Sequence, residues 1–389
     1  MILLRFLSHR HSLWLAGFRP FFTLTIFMSL VMPSIWGLVF SGKLTLPLGL
    51  TAMQWHAHEM LFGFAGSVLI GFLLTASKNW VNVRGIHGAS LMALVGLWIF
   101  ERVFIYFGSN IGPIFKHIGL SVFFAASGVY IVSTLLRYRH NDNFKDNYFF
   151  VILLGLILVA KNLLVTETYY HYGVSMSVGL FRLAFVVMFE RTMPQFMKNT
   201  EGLSLYKNSL LNFLIKLLVL ISVFQAMFSP LVAATILVIA GLLLFLRWIL
   251  WRPDIGFKKF GNTTMYFGYL GLVLHLIFEA LQTLEVWSRA TIALHIFTFL
   301  CLGVVVPSML IRISQGHTGR KPLFFTSDKI AVFLIIFSGL VRLLFPLVFP
   351  AQYSFWIMMA GLLWSVAYLI LGIRLLPFLF QTRIDGKEH

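Results

Sequence analysis

Between Asn208 and Trp251 the chain reads NSLLNFLIKLLVLISVFQAMFSPLVAATILVIAGLLLFLRWILW. Two apolar runs, each of about 20 residues, flank Ser229 and Pro230, and each is long enough to cross a hydrocarbon layer about 30 Å thick as a helix. No water is available there to satisfy an open backbone, so a helix, which closes its own hydrogen bonds, is the form such a run takes. The connection at Ser229 and Pro230 is so short that the two helices must form a tight hairpin. Outward from this pair the same pattern recurs. The runs fall at about 18–40, 51–76, 87–107, 117–136, 147–166, 172–193, 208–228, 231–251, 262–281, 288–311, 329–348 and 352–377. This predicts an all-α, polytopic integral membrane protein with a bundle of about 12 transmembrane helices. No connection exceeds roughly 20 residues, which leaves no room for an appended soluble domain. One bundle domain over 1–389 is the expectation, with diverged six-plus-six helix halves at about 1–205 and 206–389 as an arrangement twelve spans permit.

Composition agrees. Of 389 residues, 59% are hydrophobic and 11% charged, with a mean hydropathy of +0.89, more apolar surface than one soluble core could bury. A net charge of +17 would point to nucleic acid in a soluble protein, but the basic residues here sit between apolar runs, so a basic membrane surface is the simpler reading and no nucleic-acid partner is expected. The single cysteine, Cys301, lies inside a run; it excludes an internal disulfide framework and Cys-ligated zinc or iron-sulfur sites. Metal chemistry must therefore rest on His, Met, Glu or a cofactor.

Arg5, Arg10 and Arg19 precede an apolar stretch too long for a signal-peptide core, so the N-terminal segment is expected to stay as the first span. Counting Lys and Arg on alternate sides sets the direction. With a cytoplasmic N-terminus, that side holds 22 of the 30, whereas the other holds Lys43, Lys116, Lys161 and Arg289; Arg102, Arg182, Lys216 and Arg342 fall within spans. Both termini are expected in the cytoplasm, in a bacterial inner membrane.

Depth can then be assigned to each polar residue at about 1.5 Å per residue. The second span enters from outside with Trp55, His56, His58 and Glu59, in the string WHAHEMLFGF. The tenth places His295 about 10 Å below its start. His275 and Glu279 of the ninth span, Glu101 and Arg102 of the third and Arg342 of the eleventh reach the same level. Such groups are costly in hydrocarbon and face an interior where they pair or bind something. His56 and Glu59, three apart, share a helical face, while His58 is rotated by about 200° from His56. Either the helix is irregular there or the two rings serve different tasks. Neutral imidazoles suit iron and copper, and a carboxylate such as Glu59 or Glu101 fixes the tautomer. Arg102, Arg182 or Arg342 would match haem propionates. For any single histidine a plain interhelical hydrogen bond is the competing role, and the scattered methionines read as core filler.

A second layer lies at the other side. Gly17, Phe18, Arg19, Pro20, Phe21 and Phe22 open the first span, Arg191 and Pro194 end the sixth, and RISQGHTGR, Arg312 to Arg320, ends the tenth. Gly316 and Gly319 would permit left-handed turns around His317, letting Arg312, His317 and Arg320 cluster. Its distance from His295 along the span gives this layer a separate job.

Taken together, GFRPFF at Gly17, WHAHEMLFGF at Trp55, GFLLTASKNW at Gly71, the Arg-x-x-Pro of Arg191 to Pro194, and His295 followed by RISQGHTGR resemble the NnrS family of haem- and copper-containing membrane proteins linked to nitric oxide and nitrosative stress. The resemblance covers nearly the whole chain. It departs at Glu190, where a glycine is expected, and at Tyr266, where the family often has His. It implies a haem-binding protein, with copper as an optional second metal, acting in nitric oxide metabolism or resistance to nitrosative stress. His56, His58 and His295 are the expected metal ligands. Arg102, Arg182, Arg191, Arg312, His317 and Arg320 are the further cofactor-binding candidates, and Glu59, Glu101 and Glu279 are the proton or second-shell candidates. The implied partners are the lipid bilayer, nitric oxide or a related small molecule, and a membrane electron donor. Read without the resemblance, twelve spans with buried Arg, Glu and His equally describe a secondary transporter of a small molecule or metal. A haem-copper-type nitric oxide reductase is disfavoured, because the chain lacks an adjacent His pair and a late His-x-His.

Overall fold

Apolar runs become helices throughout the computed structural model, which describes residues 8–46, 49–107, 111–144, 147–286 and 291–386. Arg5, Lys145, Arg289 and Lys387, counted above among the loop cations, lie outside the described residues. In chain order the long helices are α1 (Phe18–Phe40), α2 (Ala52–Trp80), α3 (Gly88–Phe107), α4 (Pro113–Gly119 and Val122–Arg137), α5 (Tyr148–Val165), α6 (Tyr170–Glu201), α7 (Ser209–Met227), α8 (Pro230–Leu250), α9 (Phe260–Thr283), α10 (Ile292–Gly316), α11 (Thr326–Val348) and α12 (Tyr353–Phe380). Among the described residues eleven are single long apolar helices, and α4 is a pair bent by 50° that makes twelve when taken as one span. No strand occurs among the described residues. The protein is a polytopic α-helical membrane protein, as the spans predict.

Four helices depart from the predicted form. The fourth span breaks between Gly119 and Val122, and Gly119 sits hard against Phe104, where a Cβ would meet the ring at 2.5 Å. The sixth runs on past Pro194 to Glu201, well beyond its apolar stretch. Both α2 and α10 contain a wide π-helical turn of seven residues, Glu59–Ala65 and Ile296–Leu302. Such turns add a residue to the helix and are found mainly at functional sites.

The chain forms two units that interleave in sequence: Met1–Gly173 with Met309–Asp328 and Trp364–His389, and Val174–Ser308 with Lys329–Leu363. Lipid gives no hydrophobic drive for helices to associate, so close packing through small residues and polar pairs must hold each unit. In unit 1, Gly71 of α2 lets Phe21 of α1 approach to where a Cβ would stand 2.8 Å away, and Thr25 and Ser67 share a hydroxyl hydrogen bond of 2.8 Å. Phe64 of the π turn packs edge-on against Trp364 and Tyr368 of α12. In unit 2, Gly268 and Gly271 bring α9 against α10, where added Cβ atoms would lie 2.3 Å from Val305 and 2.6 Å from the Leu300 backbone. Thr264 and Ser308 then meet at 2.9 Å. Large apolar side chains such as Val129, Leu231 and Ile373 point outward, as lipid contact requires.

Candidate functional site

In unit 1 the π turn follows His58 directly, so the irregularity begins only after both histidines of the WHAHEM string. They therefore stay on different faces. The ring of His56 stacks on Trp36 at 4.0 Å and 13°. His58 turns inward and is fully buried. The expected facing of His56 and Glu59 is replaced by a bond between neighbours: His58 Nδ1 lies 2.7 Å from Glu59 Oε1. Gly63, one turn along, makes space for that carboxylate, since a Cβ there would stand 3.1 Å from Glu59 Oε2 and 2.5 Å from Met28.

The second oxygen of Glu59 faces Arg102 Nε of α3 at 3.3 Å. Arg102 Nη2 donates to Glu101 Oε2 at 3.2 Å, and Lys161 Nζ of α5 donates to the same oxygen at 2.5 Å. Glu101 Oε1 accepts the Phe123 N–H at 3.0 Å. Lys161 is thus a correction to the sequence reading. It was counted among surface cations but is buried, with its ammonium over the Phe62 and Phe124 rings. Its neutralising carboxylate lies 60 residues away in sequence, beyond the reach of any local pattern.

This cluster has two carboxylates and two cations, so its formal charge is balanced without the imidazole. Glu59 accepts the proton that His58 carries on Nδ1 and so leaves the lone pair on Nε2, the arrangement that fixes histidine tautomers at metal sites. His58 Nε2 is buried and has no hydrogen-bond partner, and neither does Arg102 Nη1. A buried bare acceptor beside a bare donor costs about 1–3 kcal/mol each unless a ligand or water meets them. Both atoms fit a bound group carrying a Lewis acid and an anionic edge.

Unit 2 holds a second polar centre. Arg182 of α6 is fully buried and donates from Nη2 to Gln225 Oε1 at 2.8 Å and to the Ser222 carbonyl at 3.2 Å. Gln225 in turn donates to Glu279 Oε1 at 2.6 Å. One turn before Glu279, His275 donates from Nδ1 to the Ala293 carbonyl at 2.8 Å. Its Nε2 is buried without a partner, as are Nε and Nη1 of Arg182. His295 belongs to this unit; its Nδ1 lies 2.6 Å from the Thr291 carbonyl and its ring stacks on Phe299. Arg342 approaches Thr291 Oγ1 at 3.5 Å. Glu190, the departure noted above, is held by Lys216 at 3.1 Å and Arg247 at 3.6 Å, so its charge is matched. Tyr266, the other departure, is fully buried and bonds through its hydroxyl to the Trp251 carbonyl.

The GHTGR layer belongs to unit 1 and forms a lock with the C-terminal segment. Arg19 donates to the Leu379 and Gln381 carbonyls at 2.8 and 2.6 Å, Arg320 to Gln381 Oε1 at 2.9 Å, and Arg383 to the His317 carbonyl at 3.2 Å. Arg312 turns to the Phe324 ring. Only Gly319 takes the left-handed conformation, with φ +82°; Gly316 remains the last residue of α10, a correction to the two-glycine turn expected. The His317 ring lies 5.4 Å from that of Phe18, tilted by 40°. Burial, then the nearby charges of Lys78, Arg383 and Arg19, hold its pKa down to about 4 from an ordinary 6.5. The native state thus takes up this proton later than the unfolded chain, so stability is complete above about pH 6.5 and falls as pH drops from there toward 4. Thermal unfolding in detergent at pH 7.5 and 5 should show this loss, about 1 kcal/mol after discounting partial exposure. His317→Gln should flatten that slope; an unchanged slope would refute the assignment.

Among the described residues no three His, Cys, Asp or Glu side chains lie where they could hold a metal ion together. The family model described as NnrS protein matches residues 12–383. No curated protein matches the chain.

Proposed function

Because the chain belongs to the NnrS family, we propose that it is a haem-binding membrane protein of the nitric oxide response, with His58 as an iron ligand. One observation carries this reading: a buried imidazole, anchored through Nδ1 by Glu59 at 2.7 Å, presents a bare Nε2. A single protein ligand suits a metal that brings its own equatorial donors, so haem takes precedence and copper is the second metal the family allows. Haem, when bound, supplies an iron that can take nitric oxide as a further ligand. The protein's part is positioning and charge. Glu59 orients the ring and keeps its proton on Nδ1. Arg102 balances Glu59 and retains an N–H at Nη1 for a haem carboxylate, while Glu101 and Lys161 fix the guanidinium in turn. An uncharged diatomic reaches such a site through lipid, and a membrane electron donor would serve any turnover.

Anaerobic addition of nitric oxide to the purified, reduced protein should shift its Soret band; a band indifferent to nitric oxide would refute the reading. The 22 Lys and Arg assigned to one side support a cytoplasmic position for both termini, in a bacterial inner membrane. Fluorescence from a green fluorescent protein fused after the last residue, with an inactive alkaline phosphatase fusion at the same point, is the expected outcome. The reverse pattern would overturn this orientation.

A further inference from the structure

The two units repeat one device. In unit 1, His58 is tied through Nδ1 to an acceptor, buries a bare Nε2, adjoins a seven-residue π turn and has a buried arginine with an unmet N–H close by. In unit 2, His275 is tied through Nδ1 to the Ala293 carbonyl and also buries a bare Nε2. Ala293 stands three residues before the π turn Ile296–Leu302, whose Phe297 lies 5.1 Å from the imidazole ring. Arg182 is the corresponding buried arginine, with N–H groups at Nε and Nη1 unmet. From this repetition we infer that unit 2 carries a haem site of its own, with His275 Nε2 as the iron ligand and Arg182 as the donor to a haem carboxylate.

The chemistry narrows the ligand. His275 gives its only N–H to Ala293, so toward the site it offers a lone pair, which an anion would repel and a Lewis acid accepts. Arg182 offers only donors, which favour an anion. Its Nη2 is held by Gln225, which hands on to Glu279 at 2.6 Å, and by the Ser222 carbonyl, while Nε and Nη1 keep N–H groups for a further acceptor. With no trio of ligand side chains among the described residues, the metal must bring its own equatorial donors. A metalloporphyrin with carboxylate edges meets all three conditions. This inference rests on the haem reading of unit 1 only for the identity of the macrocycle.

The test is the haem-to-chain ratio of the full-length protein in detergent, reconstituted with hemin and read as the pyridine haemochrome. The wild type should bind two haems per chain, and His275→Gly and His58→Gly should each bind one. Added imidazole should restore the second haem in either variant, which a merely misfolded protein would not allow. Arg182→Gln should weaken the unit 2 haem at least tenfold while leaving the other spectrum intact. One haem in the wild type, lost with His58→Gly and kept in His275→Gly, would overturn this inference and leave the function above standing. One haem lost only with His275→Gly would do the opposite, and no haem in any protein would refute both. Should His275→Gly fail to fold, the wild-type ratio alone decides: two supports the site and one retained in Arg182→Gln refutes it.

Discussion

Replacing His58 with alanine should cost the unit 1 haem at least tenfold in affinity, read by hemin titration of the purified chain. The expectation follows from what the side chain touches. Its Nδ1 is committed to Glu59, its Nε2 is buried and bare, and among the described residues no group of three His, Cys, Asp or Glu side chains could hold the metal in its place. Glu59→Gln keeps the shape but replaces the charged acceptor with a neutral amide, so it should weaken haem by about 10–100-fold, the usual cost of losing the partner that orients a ligand. His56→Ala should retain haem, because that ring is stacked on Trp36 and lies on another face of the helix. Loss of the unit 1 haem in His56→Ala with its retention in His58→Ala would invert the assignment.

The second large effect concerns stability. Glu101→Ala removes the carboxylate that holds Lys161 at 2.5 Å, Arg102 at 3.2 Å and the Phe123 N–H at 3.0 Å. It leaves a buried ammonium among Phe62 and Phe124 and makes two cations share the one carboxylate of Glu59, which should destabilise unit 1 by about 3–5 kcal/mol. The double change Glu101→Leu with Lys161→Met removes both charges together and should recover much of that loss, because a buried ion pair adds little net stability over apolar side chains of similar size. Thermal unfolding of the haem-free protein in detergent is the measurement. A single variant as stable as the wild type would show that the cluster is solvated and the burial argument fails.

The spans were legible because a run of about 20 apolar residues between basic loops has one stable form in a bilayer. What escaped the sequence has physical causes. The bend in α4 falls beside Gly119, which meets Phe104 in a contact between helices that hydropathy does not encode. The π turns fall inside segments apolar on every side, where a change of period over seven residues leaves no mark. Glu59 was recognised as a partner for an imidazole, yet regular geometry assigned it to His56's face, and the pairing with His58 came from side chains that reach across adjacent positions. Lys161 read as a surface cation because its partner lies on α3, and His275 drew little notice because its anchor is a backbone carbonyl, which has no sequence signature. Depth along a helix can be counted from a sequence; the direction a ring faces cannot.

Resonance Raman spectroscopy of the ferrous, haem-loaded protein tests the central claim most directly, because it reports the bond between iron and an axial imidazole. Loss in His58→Gly of the iron–imidazole intensity contributed by the unit 1 haem, and its return on adding free imidazole, is the predicted result. A stretch unaltered by that substitution, or iron absent from the wild type, would contradict it.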